Sequence, residues 1–161
     1  MLITLMIVAV SVILDQITKV AVLQNIPLHG NVKAIPGIFH FTYVENKGAA
    51  FGMLSEHRWV FMAVSIVAIA AFLFYIIKFK PQGKLLLSSM AMIIGGGIGN
   101  MIDRVLRGSV VDFIEVDFME FAVFNVADIF VCVGCGLMIL DVILSEVREQ
   151  KKKKENTEND T

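Results

Sequence analysis

The feature of this sequence that most limits its fold is a set of four apolar stretches, each long enough to cross a lipid bilayer. A membrane-spanning helix needs about 20 consecutive apolar residues, and an open sheet edge is not tolerated in lipid. The stretches are Leu2–Leu23, Val60–Ile77, Leu85–Ile102 and Phe121–Leu144. Hydrophobic residues make up 57% of the 161-residue chain, which is more than an ordinary soluble domain contains. We therefore expect an α-helical integral membrane protein, with four transmembrane helices in one domain, residues 1–145.

Lysine and arginine in the short connections predict the orientation, because these residues are enriched on the cytoplasmic side. Three lysines lie between the second and third stretches, and the C-terminal tail is also basic: Lys78, Lys80 and Lys84, then Arg148 and Lys151 to Lys154. Both regions are expected in the cytoplasm, and four spans then place the N-terminus there too. The outer loops become 24–58 and 103–120. The polar, low-complexity tail, residues 146–161, is expected to be disordered.

The outer loop 24–58 contains a segment typical of a β-strand. The run IPGIFHFTYVE is rich in aromatic and β-branched residues. It predicts a small extracytoplasmic β-sheet lying on the membrane, although an irregular connector fits the pattern equally well. ENKGAAFG follows, and its Gly48 and Gly52 suit a tight backbone near a bound molecule. The second outer region, 103–120, is expected to form a loop or a short helix.

Polar residues inside the apolar stretches converge on one end of the predicted bundle. Asp15 and Lys19 are four residues apart near the outer end of the first stretch, which favours a structural ion pair with Lys19 extending toward the membrane surface. Further polar side chains end the third stretch and begin the fourth: Asn100, Asp103, Arg104, Asn125 and Asp128. Helix capping and bonds between helices would explain several of them. Scattered structural residues would not need to meet at one end, so we expect a functional site there.

Asp112 and Asp128 differ from the other acids because neither has a basic residue three or four positions away. Their neighbours are apolar, and ionisable residues at membrane depth are candidates for function. Two neighbouring carboxylates share one proton near neutral pH. One can then accept a proton from water while the other donates to a scissile carbonyl. The two residues indicate an aspartyl-type hydrolase at the outer face, without identifying its substrate.

Two other function classes could use intramembrane residues of this chain. A proton-coupled transporter places acids along a path across the membrane, whereas only Asp141 lies near the inner end here. A thiol oxidoreductase would use Cys132 and Cys135, but a pair within one apolar helix favours buried filler. The isolated histidines form no ligand set, so we expect no metal and no cofactor. GGGIGN lacks the Lys and Ser/Thr of a phosphate loop, and its Gly95 and Gly99 indicate close helix packing.

Five motifs extend in a fixed order over the four apolar stretches: DQITK, ENKGAAFG, GNMIDR, VVDFI and FNVAD. Together they resemble the lipoprotein signal peptidase (signal peptidase II) family, the bacterial membrane aspartyl peptidases. The resemblance implies that Asp112 and Asp128 form the catalytic pair. It also implies that further residues bind the substrate or support the site: Asn46, Gly48, Asn100, Asp103, Arg104, Asn125, Asp15 and Lys19.

The resemblance further implies a reaction and its setting. Such an enzyme removes the signal peptide from diacylglyceryl-modified prolipoproteins, cutting before the lipidated Cys, and globomycin-type peptides inhibit it. We expect a monomer in the bacterial cytoplasmic (inner) membrane, in contact with membrane lipid and with no nucleic-acid partner. Both termini would be cytoplasmic, with the site near the outer face. Many members have Trp-Pro before FN, whereas this chain has EFAVFN, which leaves the shape of the loop 115–123 open.

Overall fold

The computed structural model describes residues 2–48 and 58–159. Its helices are α1 (Leu2–Asn25), α2 (Arg58–Phe79), α3 (Lys84–Leu106) and α4 (Val126–Asn159). Its strands are β1 (Asn31–Ile35), β2 (Phe39–Asn46) and β3 (Val110–Val116). All four helices are long and apolar enough to cross a membrane. The predicted fold, four membrane-spanning helices with a small β-sheet, is confirmed.

Helix α3 packs against the three other helices, and its glycines allow the close approach. A Cβ added at Gly95 would lie 2.6 Å from the Cβ of Ser11 in α1. One added at Gly99 would lie 2.5 Å from Oδ2 of Asp15, also in α1. Gly96 faces the carbonyl of Ala127 in α4 in the same way. The run GGGIGN is therefore a helix-packing surface, as its spacing predicts.

The sheet is antiparallel, with the strand order β1-β2-β3. The hairpin formed by β1 and β2 corresponds to the strand-like run of the first outer loop. Strand β3 comes from the second outer region and places Asp112 opposite Val44 of β2. Buried apolar side chains fix the sheet to the C-terminal end of α1: Val22 and Ile26 pack with Tyr43, Val111 and Phe113. The sheet therefore lies at the end of the bundle where α1 and α3 terminate.

Two predicted details, the start of the fourth span and the disorder of the tail, differ from the structure. Helix α4 begins at Val126 rather than near Phe121, because the preceding residues pair with β3: the Phe124 amide donates to the Ile114 carbonyl at 3.1 Å. Residues 103–106 of the second outer region complete α3, and Val110–Val116 form β3. The tail 146–161, predicted to be disordered, is helical to Asn159, which suits the helix propensity of its Glu, Gln and Lys residues. Gly52 lies outside the described residues.

Candidate active site

Asp112 lies on β3, and its carboxylate is held by a residue of the neighbouring strand. Asn46 lies two residues beyond the partner of Asp112 on β2, so both side chains project from one face of the sheet. Nδ2 of Asn46 donates to Oδ2 of Asp112 at 2.8 Å. Oδ1 of Asn46 accepts a bond from the Gly48 amide at 2.9 Å. Gly48 therefore orients the Asn46 amide so that its NH₂ group faces the acid.

Asp128 lies in the first turn of α4, where it exchanges two hydrogen bonds with Asn125. The Asp128 amide donates to Oδ1 of Asn125 at 3.0 Å, and the Asn125 amide donates to Oδ2 of Asp128 at 3.1 Å. This reciprocal pattern is that of a capping box, so it fixes the start of the helix. The N-terminus of a helix also favours negative charge. Nδ2 of Asn100 donates to the other oxygen of Asp128 at 2.8 Å.

Asn125 contacts both carboxylates. Its Nδ2 donates to Oδ1 of Asp112 at 2.6 Å, while its backbone amide donates to Asp128. Nδ2 also lies 3.1 Å from Oδ1 of Asn100. Asn125 itself is fully buried. One fixed residue therefore holds together two acids that come from a strand and a helix.

The two acids differ in burial. Asp112 is only 3% exposed, whereas Asp128 is half-buried. The pKa of Asp112 is raised from its usual 3.8 to about 7. Burial is the largest cause and the charge of Asp128 adds to it, while the hydrogen bonds from Asn46 and Asn125 lower the pKa. A carboxyl group with this pKa retains its proton near neutral pH. The pair is therefore suited to general acid and base chemistry.

Lys19 supports the site from behind Asn100. Its Nζ, which is fully buried, lies 2.9 Å from each of three oxygens: Oδ2 of Asp15, Oδ2 of Asp103 and Oδ1 of Asn100. The ion pair with Asp15 is present, as the spacing predicts, but Lys19 turns into the bundle instead of toward the membrane surface. Because an ammonium group only donates, it fixes Oδ1 of Asn100 and directs the NH₂ group toward Asp128.

The partners of Lys19 also bind the backbone of the elements that contain the two acids. The amide of Ala127, next to Asp128, donates to Oδ1 of Asp15 at 3.0 Å. The amide of Val111, on the other element, donates to Oδ2 of Asp103 at 3.2 Å. These contacts set the positions of α4 and β3 relative to α1 and α3. The residues expected to support the site therefore form one connected network.

Arg104 does not pair with Asp103, although the two are adjacent in the sequence. Asp103 instead pairs with Arg107, whose Nη1 lies 2.7 Å from its Oδ1. The guanidinium of Arg104 lies over the ring of Phe61, 5.6 Å from the centroid, and Arg104 lines the cavity at the acids. Arg104 therefore places a positive charge beside the site.

A cavity of about 550 Å³ opens onto both acids. Its polar side is formed by Asn46, Gly48, Asn100 and Arg104. Its apolar side is formed by residues 121–124 and by one face of α4, including Cys132. Residues 121–124 were not predicted to form a cavity wall, because their apolar character is typical of the fourth span.

The cysteines do not occupy the buried positions that the sequence suggests. Cys132 and Cys135 are both exposed on the protein surface, and they are not bonded to each other. Cys132 lies one helical turn after Asp128 in the cavity wall. In the described part of the chain, no group of three His, Cys, Asp or Glu side chains is placed to hold a metal ion.

Comparison with known proteins identifies relatives of this chain. A family model described as signal peptidase (SPase) II matches residues 7–144. The lipoprotein signal peptidase of Streptococcus thermophilus is 47% identical over 127 residues, which cover 79% of this chain and 83% of the relative. That of Symbiobacterium thermophilum is 45% identical over 139 residues, which cover 85% and 91%.

A solved bacterial membrane enzyme, determined by the in meso method at 2.3 Å resolution, has a similar structure. The TM-score is 0.84 at 30% sequence identity, and the match covers 89% of this chain and 88% of the other. The order of motifs, the four spans and these relatives lead to one conclusion: the chain belongs to the signal peptidase II family and is a multi-pass membrane peptidase.

Proposed function

We propose that this protein cleaves diacylglyceryl-modified prolipoproteins by means of an aspartyl pair, Asp112 and Asp128. Removal of signal peptides from lipoproteins follows from membership of the family. The proposal adds the two catalytic residues, the lipidated substrate and the bond that is cut. The observation that supports it most strongly is the double contact of Asn125, which bonds Asp112 through its side chain and Asp128 through its backbone at one cavity.

The two acids take different roles in proton transfer because they differ in burial. Asp112 holds a proton, because burial raises its pKa to about 7, and donates it to the oxygen of the scissile carbonyl. Asp128, at the N-terminus of α4, accepts a proton from the attacking water. The resulting tetrahedral diol collapses when Asp128 donates that proton to the leaving nitrogen and Asp112 recovers its own from a hydroxyl group. The pair then returns to its starting state.

The cavity fits a peptide that is attached to lipid. Its polar side offers amides to an extended peptide backbone, with Asn46 and Gly48 at its edge. Its apolar side is made by residues 121–124 and by α4, where the acyl chains and the signal helix can stay in contact with lipid. The scissile bond then precedes the lipidated Cys. Globomycin-type peptides would occupy the same cavity and compete with the substrate.

The proposed location is the bacterial cytoplasmic membrane, with the cavity near the outer face and both termini in the cytoplasm. The distribution of lysines supports this orientation, because Lys78, Lys80, Lys84 and the lysines of the tail lie at the bundle end opposite the acids. One chain supplies both acids and the amides that orient them, so a monomer is the proposed active form.

Cleavage by the purified protein in detergent tests the proposal. The substrate is a diacylglyceryl-modified prolipoprotein, and the control has the same sequence without the lipid. We expect mass spectrometry to show a product that begins at the lipidated Cys, with the control cleaved about 100-fold more slowly because it buries no acyl chains. Equal rates would contradict the lipid requirement, and cleavage at another bond would contradict the assigned position.

A further inference from the structure

We propose that the end of the bundle opposite the two acids contains a binding site for one anionic glycerophospholipid. The site is a cavity of about 360 Å³ between the end of α2 and the start of α3. Leu87 of α3 lines this cavity and Asn100 lies 13 residues later, so the two cavities are about 20 Å apart along this helix. The second cavity shares no lining residue with the catalytic one.

The floor of this cavity is apolar. Ile76 and Ile77 of α2 and Leu87 of α3 form it. Ile76 is buried, whereas Ile77 is 67% exposed, so the floor continues onto the outer surface of a membrane-spanning helix. Such a surface is covered by acyl chains when the helix lies in a bilayer. The floor therefore suits a hydrocarbon chain that extends along α2.

The rim of the cavity is a polar turn of fixed shape. Lys80, Pro81 and Gln82 form it. Lys80 has a φ of 45°, and its amide donates to the Ile76 carbonyl at 3.1 Å. Nε2 of Gln82 donates to the Lys80 carbonyl at 3.0 Å. These bonds hold Lys80 at the boundary between the apolar floor and water.

The lysines around the cavity are not neutralised by acidic side chains in the described part of the chain. The rim and the adjacent helix ends contain three lysines within seven residues, Lys78, Lys80 and Lys84, and the sequence has no acidic residue between Arg58 and Ile102. Across the part of the chain that the structure describes, none of the three takes part in an ion pair. The Nζ atom of Lys78 lies 5.0 Å from the centroid of the Phe74 ring, which keeps it at the helix end.

Positive charge above an apolar floor matches the chemistry of an anionic phospholipid, in which a phosphate group is joined to acyl chains. A general preference of lysine for the cytoplasmic side explains the charges but not the cavity beside them. The C-terminal helix offers an internal comparison, because Lys151 to Lys154 carry as much charge yet line neither this cavity nor the catalytic one. We therefore assign the lipid to the cavity and not to the basic surface as a whole.

Native mass spectrometry of the purified full chain in a nonionic detergent tests the site. The probes are phosphatidylglycerol, phosphatidylcholine with the same acyl chains, and glycerol phosphate. We expect one tightly bound phosphatidylglycerol per chain and at least about tenfold weaker binding of the other two. Tight binding of phosphatidylcholine or of glycerol phosphate would overturn the proposal, because the first lacks net charge and the second lacks acyl chains.

Two matched triple variants distinguish lipid binding at this cavity from general electrostatic attraction to the basic surface. Lys78→Gln, Lys80→Gln and Lys84→Gln together should weaken phosphatidylglycerol binding by about tenfold or more. Lys151→Gln, Lys152→Gln and Lys154→Gln remove the same charge and should change it less than about twofold. Ile77→Trp fills the floor, keeps every lysine and should also weaken binding. Equal losses in the two triple variants, or no loss in the first or in Ile77→Trp, would overturn the proposal.

Discussion

Side-chain amide groups orient both acids of the candidate site, and the amides of Asn100 and Asn46 are each oriented by a partner with only one hydrogen-bonding role. Lys19 only donates, so Asn100 must present its oxygen to Lys19 and its NH₂ group to Asp128. The Gly48 amide does the same for Asn46 and Asp112. In the described residues, no buried side-chain nitrogen or oxygen lacks a partner. A substitution in this network therefore leaves a buried group unpaired instead of leaving an empty space.

Replacing Lys19 should destabilise the protein more than replacing Asp15. Lys19→Met leaves Asp15 and Asp103 as buried carboxylates without their shared cation, which typically costs about 3–5 kcal/mol. Asp15→Asn leaves Lys19 bonded to Asp103 and Asn100, so we expect a cost of about 1–2 kcal/mol. Thermal unfolding of both variants in one detergent measures the order. A larger loss for Asp15→Asn would contradict the assigned role of Lys19.

The pKa of Asp112 predicts how activity and stability change with pH. Its folded value of about 7 exceeds the usual 3.8, so the folded protein binds this proton more tightly than the unfolded chain. The corresponding stability is fully present below about pH 4 and is lost as the pH rises to about 7. Above about pH 7 the pair loses its proton, and kcat/KM should fall by about tenfold per pH unit.

A pH profile of kcat/KM and an unfolding series between pH 4 and 8 test this assignment. In Asp112→Asn the decline in stability over this range should become smaller, because the titrating group is absent. Undiminished activity at pH 9, or the same stability profile in Asp112→Asn, would contradict it.

The elements differ in how far the sequence predicts them. The four spans and the hairpin follow from hydrophobic runs and from aromatic, β-branched residues, which are local signals. Strand β3 cannot be predicted from a local signal, because the VVDFI segment is stabilised by pairing with β2, a strand more than 60 residues earlier. The start of α4 depends on the exchange of bonds between Asn125 and Asp128, which the apolar residues before it conceal. Local patterns therefore predict the helices better than the segments that contain the acids.

The candidate site also combines features that the sequence predicts with features that it does not. Its residue types and their location at one end of the bundle follow from the order and direction of the spans. The contact between Lys19 and Asp103 does not follow from the sequence, because the two residues are 84 positions apart and lie on different helices. The sequence therefore predicts the members of the network and the local pair of Asp15 with Lys19, but not the contacts between distant segments.

The close contact between α1 and α3 predicts a strong effect of Gly99→Ala. The added methyl group would lie 2.5 Å from Oδ2 of Asp15, which Lys19 and the Ala127 amide hold in place. We expect a loss of about 1–3 kcal/mol in the free energy of unfolding. Gly136→Ala is the matched control, because no atom lies within 4 Å of its added Cβ, and it should be neutral or stabilising by up to about 1 kcal/mol. Equal unfolding midpoints would contradict this account of the interface.

At the scale of the whole molecule, the bundle has two chemically different ends. The acids, the amides and the sheet lie at one end, and the lysines between α2 and α3 lie at the other. Large exposed apolar side chains cover the helices between them, including Leu5, Val64, Ile66 and Ile139. This pattern requires a surrounding bilayer, and the lysine-rich end predicts the direction in which the chain crosses it.

Thiol labelling in intact cells tests this orientation. In a background with Cys132→Ala and Cys135→Ala, a cysteine is introduced by Asn156→Cys on α4 or by Lys33→Cys on β1; both native residues are exposed. An impermeant maleimide should label the Lys33→Cys variant in intact cells and the Asn156→Cys variant only after permeabilisation. The reverse pattern would place the cavity on the cytoplasmic side.

Single-turnover cleavage of a lipidated prolipoprotein tests whether Asp112 and Asp128 act as one catalytic pair. Asn keeps the size of Asp but replaces one accepting oxygen with an NH₂ group, and it cannot exchange the proton. Asp112→Asn and Asp128→Asn should each lower the rate by about 1,000-fold or more, and the double variant should lose little beyond either single variant. Asp141→Asn, 13 residues and about 20 Å further along α4 than Asp128, should keep close to the unsubstituted rate. A folded Asp112→Asn or Asp128→Asn variant that cleaves at this rate would contradict the claim.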